Sequence, residues 1–295
     1  VTFGYAVAGY VSRLGQSIVA LKALAKELRG KFSGAVGAYN ASSLFFDDPE
    51  GFEKDVLAEM GLEPVEHATQ VTQAEPMIRL LAETTIAAGI MAQVSDDMRH
   101  LQRTEIGEVG EEFEKSQVGS STMPQKRNPI NFENAKSLWK IVMPRIVTAF
   151  MDQISEHQRD LTNSASGRTY GETIAYTVSM AKRLTKTMAK ISVDRAHLES
   201  NLSLQKGLIA AEPLYILLAS LGHPDAHEKV RNLTLAAQKE GKSLEDVAFA
   251  DSEMKPYVEK MTDMQKTILK NPSSYTGISA KKAKKIAADW KKRLS

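Results

Sequence analysis

The stretch Glu75–Leu101, EPMIRLLAETTIAAGIMAQVSDDMRHL, is the longest regular pattern in the chain. Its core-forming residues fall seven apart in two rows, Met77, Thr84, Met91 and Met98 in the first and Leu80, Ala87, Val94 and Leu101 in the second. An uninterrupted pattern of this length predicts a helix of roughly 40–45 Å, at ~1.5 Å per residue. Its seam should pack against near-parallel neighbours in a bundle. The methionines and alanines are typical of a crowded core, not of a cofactor site.

Helical patterns continue on both sides of this stretch. The other long helices predicted are, in chain order, Tyr5–Leu28, Pro49–Met60, Phe132–Ser155 and Tyr170–Ile191. Arg29 and Gly30 are predicted to be a C-terminal cation and C-cap. Pro144 lies inside the third of these helices and predicts a kink near residues 140–144.

The remaining C-terminal part is divided into shorter helices. The breaks fall at Glu212-Pro213, Gly222–Pro224 and Gly241–Ser243. No alternating run is bounded by hairpin turn residues, so strands are not expected. The sequence therefore predicts an all-α fold, with a long-helix bundle domain at 1–205 and a smaller helical C-terminal domain at 206–295.

The bulk composition is that of an ordinary globular protein. The chain has 295 residues, 42% hydrophobic and 25% charged, with 38 basic and 36 acidic residues for a net charge of +2. This balance does not indicate a polyanion-binding surface. The lysines near the end alternate with alanines and are interpreted as the solvated face of a terminal helix, so no nucleic-acid partner is expected: Lys281, Lys282, Lys284, Lys285, Lys291 and Lys292.

Several other classes of site are disfavoured. The absence of cysteine excludes disulfides and thiolate chemistry and fits a reducing compartment such as the cytoplasm. No run of about 18 apolar residues suggests a membrane span.

The chain opens on Val1 and enters a helical pattern at once. We interpret this start as a position in the middle of a longer protein.

Dinucleotide and P-loop motifs are absent, and no cofactor is predicted. His223 and His227 have the spacing of two metal ligands on a helix, but no third ligand is evident nearby. These histidines are interpreted as surface or capping residues, and no metal site is predicted. His67, His100 and His197 receive the same interpretation.

The most polar connection between helices is Gly119-Ser-Ser-Thr-Met-Pro-Gln-Lys-Arg-Asn-Pro129. One interpretation is a solvated inter-helix loop. The other is chemical, because removing a proton from a carbon next to a carboxylate creates a dianion that needs a preorganised cation and N–H donors. Lys126 supplies the charge and Asn128 an amide, while a serine can act as base if its oxyanion is stabilised.

This stretch resembles the shared motif of the fumarase/aspartase superfamily, Gly-Ser-Ser-x-Met-Pro-x-Lys-x-Asn-Pro, at every fixed position. The resemblance implies that Ser120 is the catalytic base and that Ser121, Lys126, Arg127 and Asn128 bind substrate. It also implies a bundle of long helices that assembles into a homotetramer, in which each active site takes residues from three subunits.

Further stretches are similar to adenylosuccinate lyases in particular. Ala68-Thr69-Gln70 matches a segment in which the glutamine holds substrate, and Pro129–Asn134 matches one that places Asn134 on substrate. The segment 158–168 is similar to a nucleotide-binding one, which implies that Arg159, Ser164 and Arg168 contact AMP. Two guanidinium groups and a hydroxyl suit a phosphate. Arginines at a helix break can also be only caps or ion pairs.

The sequence departs from this family in three places. The segment with the catalytic acid, a histidine, would precede Val1, so the chain alone is expected to be inactive and its N-terminal domain missing. Gln125 stands where adenylosuccinate lyases often have histidine, and Gln73–Pro76 lacks the basic residues of some members. These departures are also compatible with a 3-carboxy-cis,cis-muconate cycloisomerase or another lyase of the superfamily. A separate alternative is a non-catalytic helical scaffold.

The function that the resemblance implies is a cofactor-free C–N lyase. It would release fumarate from adenylosuccinate by β-elimination, giving AMP, and would act on the related succinyl intermediate of purine biosynthesis. The expected partners are a small-molecule substrate and further copies of the chain.

Overall fold

The computed structural model describes residues 1–112, 127–154, 162–205 and 207–295. Helices dominate this part of the chain, as the sequence predicts. They are α1 (Phe3–Lys26), α2 (Pro49–Ala58), α3 (Glu75–Leu101), α4 (Ile130–Val142), α5 (Arg145–Met151), α6 (Thr169–Met188), α7 (Arg195–Ser203), α8 (Ala211–Ser220), α9 (Ala226–Glu240), α10 (Leu244–Ala250), α11 (Lys255–Lys260), α12 (Asp263–Lys270) and α13 (Ser279–Leu294). Two-residue strands lie at Arg29–Gly30 (β1), Glu63–Pro64 (β2), Val109–Gly110 (β3) and Ser192–Val193 (β4). Short 3-10 helices lie at Ser42–Leu44, Ser166–Arg168, Leu208–Ala210 and Pro272–Ser274.

Contacts divide the chain into two compact units. The larger unit comprises Ala8–Gln102, Gly110–Ser192 and Ile286–Ser295, and the smaller one comprises Val1–Val7, Arg103–Val109 and Val193–Lys285. The domain limits of 1–205 and 206–295 stay a prediction.

Helix α3 has the predicted bounds and forms the centre of the larger unit, where it packs against α4 and α6. Met91 and Met98 of one predicted row and Ala87 and Val94 of the other are buried. Met77 at the start of the first row, and Leu80 and Leu101 at the two ends of the second, are only half-buried. Hydroxyl groups inside this core each donate to a carbonyl four residues earlier, which satisfies them without a partner helix: Thr84, Thr85 and Ser95, all at 2.8 Å.

The length and hydropathy of α3 would also suit a membrane span. Among the described residues, α3 is the single helix that is by itself long and apolar enough to cross a membrane. However, 56% of its most apolar window is buried by the rest of the protein. It therefore has the surroundings of a core helix.

At the predicted kink, Met143 and Pro144 separate α4 from α5 while keeping right-handed helical torsions. Proline has no N–H to continue the helix, and its ring clashes with the preceding turn. The Arg145 guanidinium compensates, because Nη1 donates to the Ile141 carbonyl at 2.6 Å. The predicted kink near residues 140–144 is thus confirmed as an interruption at Met143 and Pro144.

The prediction for Arg29 and Gly30 is half right. Helix α1 ends at Lys26, and Arg29 Nη1 donates to the Lys26 carbonyl at 2.7 Å, as a C-terminal cation should. Gly30, however, lies in β1 and pairs in parallel with Pro64. A Cβ at Gly30 would approach Leu57 Cδ2 to 2.4 Å, so close packing and not a helix cap requires the glycine.

The smaller unit has its own core, formed mainly by α8, α9 and the short helices that follow. Leu214 and Leu218 of α8 meet Val230 and Leu233 of α9, and all four are buried. The predicted break at Gly241 is confirmed, since its φ of 67° ends α9 in the left-handed region.

Candidate functional site

Only part of the predicted loop lies within the described residues. Ser120, Ser121 and Lys126 lie outside them, and the next described residue is Arg127. Arg127 is exposed, and its carbonyl accepts from Gln102 Nε2 at 3.4 Å. Asn128 is half-buried, and its carbonyl accepts from the Ile130 N–H at 2.9 Å. Asn128 therefore lies in the turn that leads directly into α4.

A buried carboxylate, Glu111, holds this turn. Its Oε2 accepts from Asn131 Nδ2 at 2.7 Å and from the Asn131 N–H at 3.3 Å, and its Oε1 accepts from the Phe132 N–H at 2.9 Å. The backbone N–H of Glu111 in turn donates to Gln102 Oε1 at 2.9 Å. Glu111 thereby links the residues that precede the loop to those that follow it.

Asn134 lies one turn further along α4, with its side chain exposed. The next turn is tied to α3 by an ion pair between Lys136 Nζ and Asp96 Oδ2 at 2.7 Å. Lys136 holds the pKa of Asp96 below its ordinary value, and Arg99 adds to the effect. The carboxylate is thus charged at neutral pH and fixes α4 beside the carboxyl end of α3.

The nucleotide-binding candidates lie elsewhere in the larger unit. Arg159 lies outside the described residues, Ser164 is half-buried in a turn and Arg168 is exposed at the end of a 3-10 helix. This turn is anchored by Asp152, whose carboxylate accepts from Ser166 Oγ and Tyr170 Oη, both at 2.6 Å.

The Asp152 anchor is buried and changes the properties of Tyr170. Asp152 is 6% exposed, and its carbonyl also accepts from Asn163 Nδ2 at 2.7 Å. Burial, together with the hydrogen bond to the Asp152 carboxylate, raises the pKa of Tyr170 well above its ordinary value. The phenol therefore stays a proton donor that restrains the start of α6.

Gln70 has an exposed side chain in the connection before α3. Its carbonyl accepts from Lys31 Nζ at 2.9 Å, which ties it to the glycine-containing connection after β1. The two connections touch, because a Cβ at Gly37 would lie 2.0 Å from the Ala68 carbonyl oxygen. The two connections are therefore closely packed at this point.

Those predicted site residues that the structure describes form two groups at opposite ends of α3. Gln153 Nε2 donates to Glu75 Oε1 at 3.1 Å, and the adjacent Asp152 binds Ser166, which places the segment of Ser164 and Arg168 at the amino end of α3. Gln70 precedes this end of α3 by five residues. Asn128 and Asn134 lie at the carboxyl end, beside Gln102. Since α3 has 27 residues, about 40 Å separates its two ends. One chain does not bring the two groups together.

Two cavities among the described residues are lined by neither Asn128 nor Asn134. One cavity in the described part of the chain has a volume of about 560 Å³, lies in the smaller unit and is lined by none of the predicted site residues. Another, of about 420 Å³, borders Gln73 near the amino end of α3. A site divided between the ends of a long helix cannot form an enclosed pocket within one chain.

The histidine interpretation needs one correction. His223 Nδ1 accepts the Asp225 N–H at 3.1 Å, as a capping residue would, but its side chain is only 5% exposed and so is not a surface group. His227 packs its ring against Tyr215 at 5.8 Å. Within the described ranges, no group of three acidic or histidine side chains is arranged to hold a metal ion.

Two family comparisons cover most of the chain. Residues 1–143 match the family described as "Lyase", and residues 155–275 match the one described as "Adenylosuccinate lyase C-terminal". The chain is also 35% identical over 261 residues to the adenylosuccinate lyase of Pyrococcus abyssi, an alignment that covers 87% of this chain. It belongs to the fumarase/aspartase superfamily.

The chain covers only part of the length of the adenylosuccinate lyases to which it is similar. The adenylosuccinate lyase of Pyrococcus horikoshii is 34% identical over 97% of this chain, and that of Methanocaldococcus jannaschii is 34% identical over 94%. The chain spans 57%, 63% and 60% of the lengths of the three relatives from P. abyssi, P. horikoshii and M. jannaschii.

Solved superfamily structures share the fold. The 3-carboxy-cis,cis-muconate lactonizing enzyme of Pseudomonas putida has a TM-score of 0.85 at 24% identity, over 100% of this chain and 65% of that one. A fumarate lyase from Mesorhizobium sp. BNC1 has a TM-score of 0.82 at 20% identity, over 97% of this chain and 63% of that one. At these identities the likeness establishes the fold alone, and it confirms the predicted bundle of long helices.

The sequence did not identify Glu111, Asp152 or their partners as parts of the site. Each carboxylate comes just before a polar segment, but acidic residues are common at helix breaks. Only the structure reveals that both are buried, that Glu111 binds Asn131 and Phe132 just after the loop, and that Asp152 binds Ser166 and Tyr170.

Proposed function

We propose that the protein containing this chain is a C–N lyase that releases fumarate from adenylosuccinate and leaves AMP. The observation that carries this proposal is the double match, because the N-terminal part resembles lyases in general while residues 155–275 resemble adenylosuccinate lyases specifically. The related succinyl intermediate of purine biosynthesis would undergo the same elimination. A cytoplasmic location belongs to the proposal and is supported by the absence of cysteine.

The proposed chemistry is a β-elimination. Ser120 removes the proton from the carbon next to a carboxylate, and the electron pair is delocalised into that carboxylate as a dianion. Lys126 and the Asn128 amide stabilise the negative charge. The C–N bond then breaks, with its electron pair leaving on nitrogen, where a general acid supplies the proton.

The remaining predicted residues would bind substrate. Arg127 and Asn134 lie with Asn128 at the carboxyl end of α3, whereas Gln70, Ser164 and Arg168 lie at its amino end. We assign Ser121 to the first group and Arg159 to the second on the sequence resemblance. Two arginines and a serine hydroxyl would hold the phosphate of AMP through charge-assisted hydrogen bonds.

A homotetramer with shared sites is part of the same proposal. Because the two groups lie about 40 Å apart in one chain, a complete site needs the amino end of one copy beside the carboxyl end of another. Apolar side chains on α5, on α6 and just after α5 are exposed in the single chain and offer a surface for such packing: Val147, Phe150, Met151, Ile154, Ile174 and Val178.

A direct test follows fumarate release from adenylosuccinate by the protein that contains this chain. Ser120→Ala should abolish turnover and leave the assembled molecular mass unchanged. Unchanged turnover would remove Ser120 as the base.

A 3-carboxy-cis,cis-muconate cycloisomerase is the second candidate. Gln125 and the missing basic residues at Gln73–Pro76 favour it, because they are the positions that depart from adenylosuccinate lyases. This reaction needs no AMP pocket, so it should continue in Arg168→Ala. A non-catalytic scaffold would turn over neither substrate.

A further inference from the structure

Glu111 has partners that a surface glutamate would not need. It is 8% exposed, and its two oxygens accept three hydrogen bonds from Asn131 and Phe132. Burial of a carboxylate is unfavourable unless such donors replace water. The next residue, Glu112, gives the contrast: its side chain is 56% exposed and pairs with Lys190 at 3.0 Å.

The donors belong to a helix start that lacks an ordinary cap. The N-cap residue of α4 is Pro129, which has no capping side chain, while the first N–H groups of a helix have no partner within it. The Glu111 carboxylate accepts two of these N–H groups from 20 and 21 residues away in sequence. Its negative charge also suits the positive end of the helix dipole.

Two side-chain amides extend this contact. Gln102 accepts the Glu111 N–H at 2.9 Å and donates to the Arg127 carbonyl at 3.4 Å. Asn131 donates through Nδ2 to Glu111 and accepts at Oδ1 from Arg183 Nη1 at 2.9 Å. The turn from Arg127 to Asn131 is therefore held against α3 and α6 at once.

We infer that Glu111 is a positioning residue that aims the Asn128 amide at the reacting carboxylate. Asn128 precedes the first helical residue by two positions, and its carbonyl is bonded to the Ile130 N–H. A displaced start of α4 would displace Asn128 with it. The inference rests on the proposed function, in which Asn128 stabilises the dianion, and adds that Glu111 acts through Asn128 without touching substrate.

The test is a double-mutant cycle in the active enzyme, with Glu111→Gln, Asn128→Ala and the pair. Glu111→Gln should lower kcat by about 10- to 100-fold with KM little changed, because misplacement by an ångström can cost that much. In the Asn128→Ala background the same change should cost no more than about twofold, since coupled residues are not additive. Glu112→Gln is the matched control and should leave kcat unchanged.

Amide hydrogen exchange gives a structural readout alongside the kinetics. Glu111→Gln should speed exchange at Asn131 and Phe132, and Glu112→Gln should not. If Glu111→Gln does not fold, Asn131→Ala replaces it in the cycle, because it removes the shortest Glu111 contact and keeps both backbone N–H groups.

The outcomes separate the two proposals. A full loss from Glu111→Gln in the Asn128→Ala background would overturn the positioning role while leaving the elimination intact. An Asn128→Ala variant with normal kcat would contradict both the dianion role of Asn128 and an action of Glu111 through it. An unchanged kcat in Glu111→Gln would overturn the positioning role alone.

Discussion

Arg168 ends the 3-10 helix before α6 with its side chain exposed, although the turn around it is anchored by a buried carboxylate. An exposed guanidinium on an anchored turn is accessible to a ligand. Arg168→Ala should raise KM for adenylosuccinate by about 10- to 100-fold, since a hydrogen bond to a charged group contributes about 1.5–3 kcal/mol. Steady-state kinetics test this, with the exposed Arg195→Ala as control, and equal KM values would remove Arg168 from the phosphate site.

Asp96 provides a pH-dependent contribution to stability at the residue scale. Lys136 and Arg99 lower its pKa in the folded state, so its stabilising effect is fully present above the ordinary pKa of about 4 and is lost as pH falls through the lower folded value. Asp96→Asn should reduce the free energy of unfolding by about 1 kcal/mol at pH 7, and the difference should shrink below about pH 4.

Thermal unfolding of wild type and Asp96→Asn at several pH values measures this effect. Glu240→Gln is the control, because Glu240 pairs with Lys242 in an exposed position where ion pairs contribute little. A destabilisation by Asp96→Asn that stays constant down to pH 2 would show that charge is not its cause.

At the scale of elements, the start of α6 depends on the preceding segment through Asp152. Asp152→Asn should lower the pKa of Tyr170 towards its ordinary value, because the change removes the negative charge beside the phenol. It should also cost about 1–3 kcal/mol of stability, since buried hydrogen-bonding groups lose a matched partner. Ultraviolet titration of tyrosine measures the first effect, with Tyr170→Phe to identify the signal. An unmoved titration would exclude Asp152 as a cause of the raised pKa.

At the scale of the whole molecule, the α5–α6 surface should be covered by another copy of the chain. Phe150 is 53% exposed there, and Leu235 on α9 of the smaller unit is 50% exposed. Phe150→Glu should shift the protein to smaller assemblies in sedimentation, while Leu235→Glu should not, because only the first would bury a charge in an interface. An equal mass for both variants would contradict the proposed interface.

Shared sites lead to a second whole-molecule prediction. Asn128→Ala and Arg168→Ala change residues at opposite ends of α3, so each variant alone should be severely impaired at substrate concentrations below the wild-type KM. Co-refolded mixtures should recover activity well above the mean of the two parents, since some mixed assemblies contain a site with both residues intact. A mixture with only the mean activity would show that both residues act in one site from the same copy.

The amino-acid sequence by itself determined the features that depend on local periodicity and chain stiffness. The bounds of α3, the end of α9 at Gly241 and the interruption at Pro144 follow from spacing, left-handed backbone and the missing N–H. The candidate loop was likewise evident from its residues, because the loop motif is contiguous.

Only the tertiary structure decided which distant groups meet. In the folded chain, Glu111 is buried against the start of α4, and Asp152 is buried against Ser166 and Tyr170. Gly30 lies in a strand and packs closely against Leu57. The fold also separates Gln70 and Arg168 from Asn128 by the length of α3. Local patterns specify backbone torsions and apolar faces, whereas these contacts arise from how α3, α4 and α6 pack together.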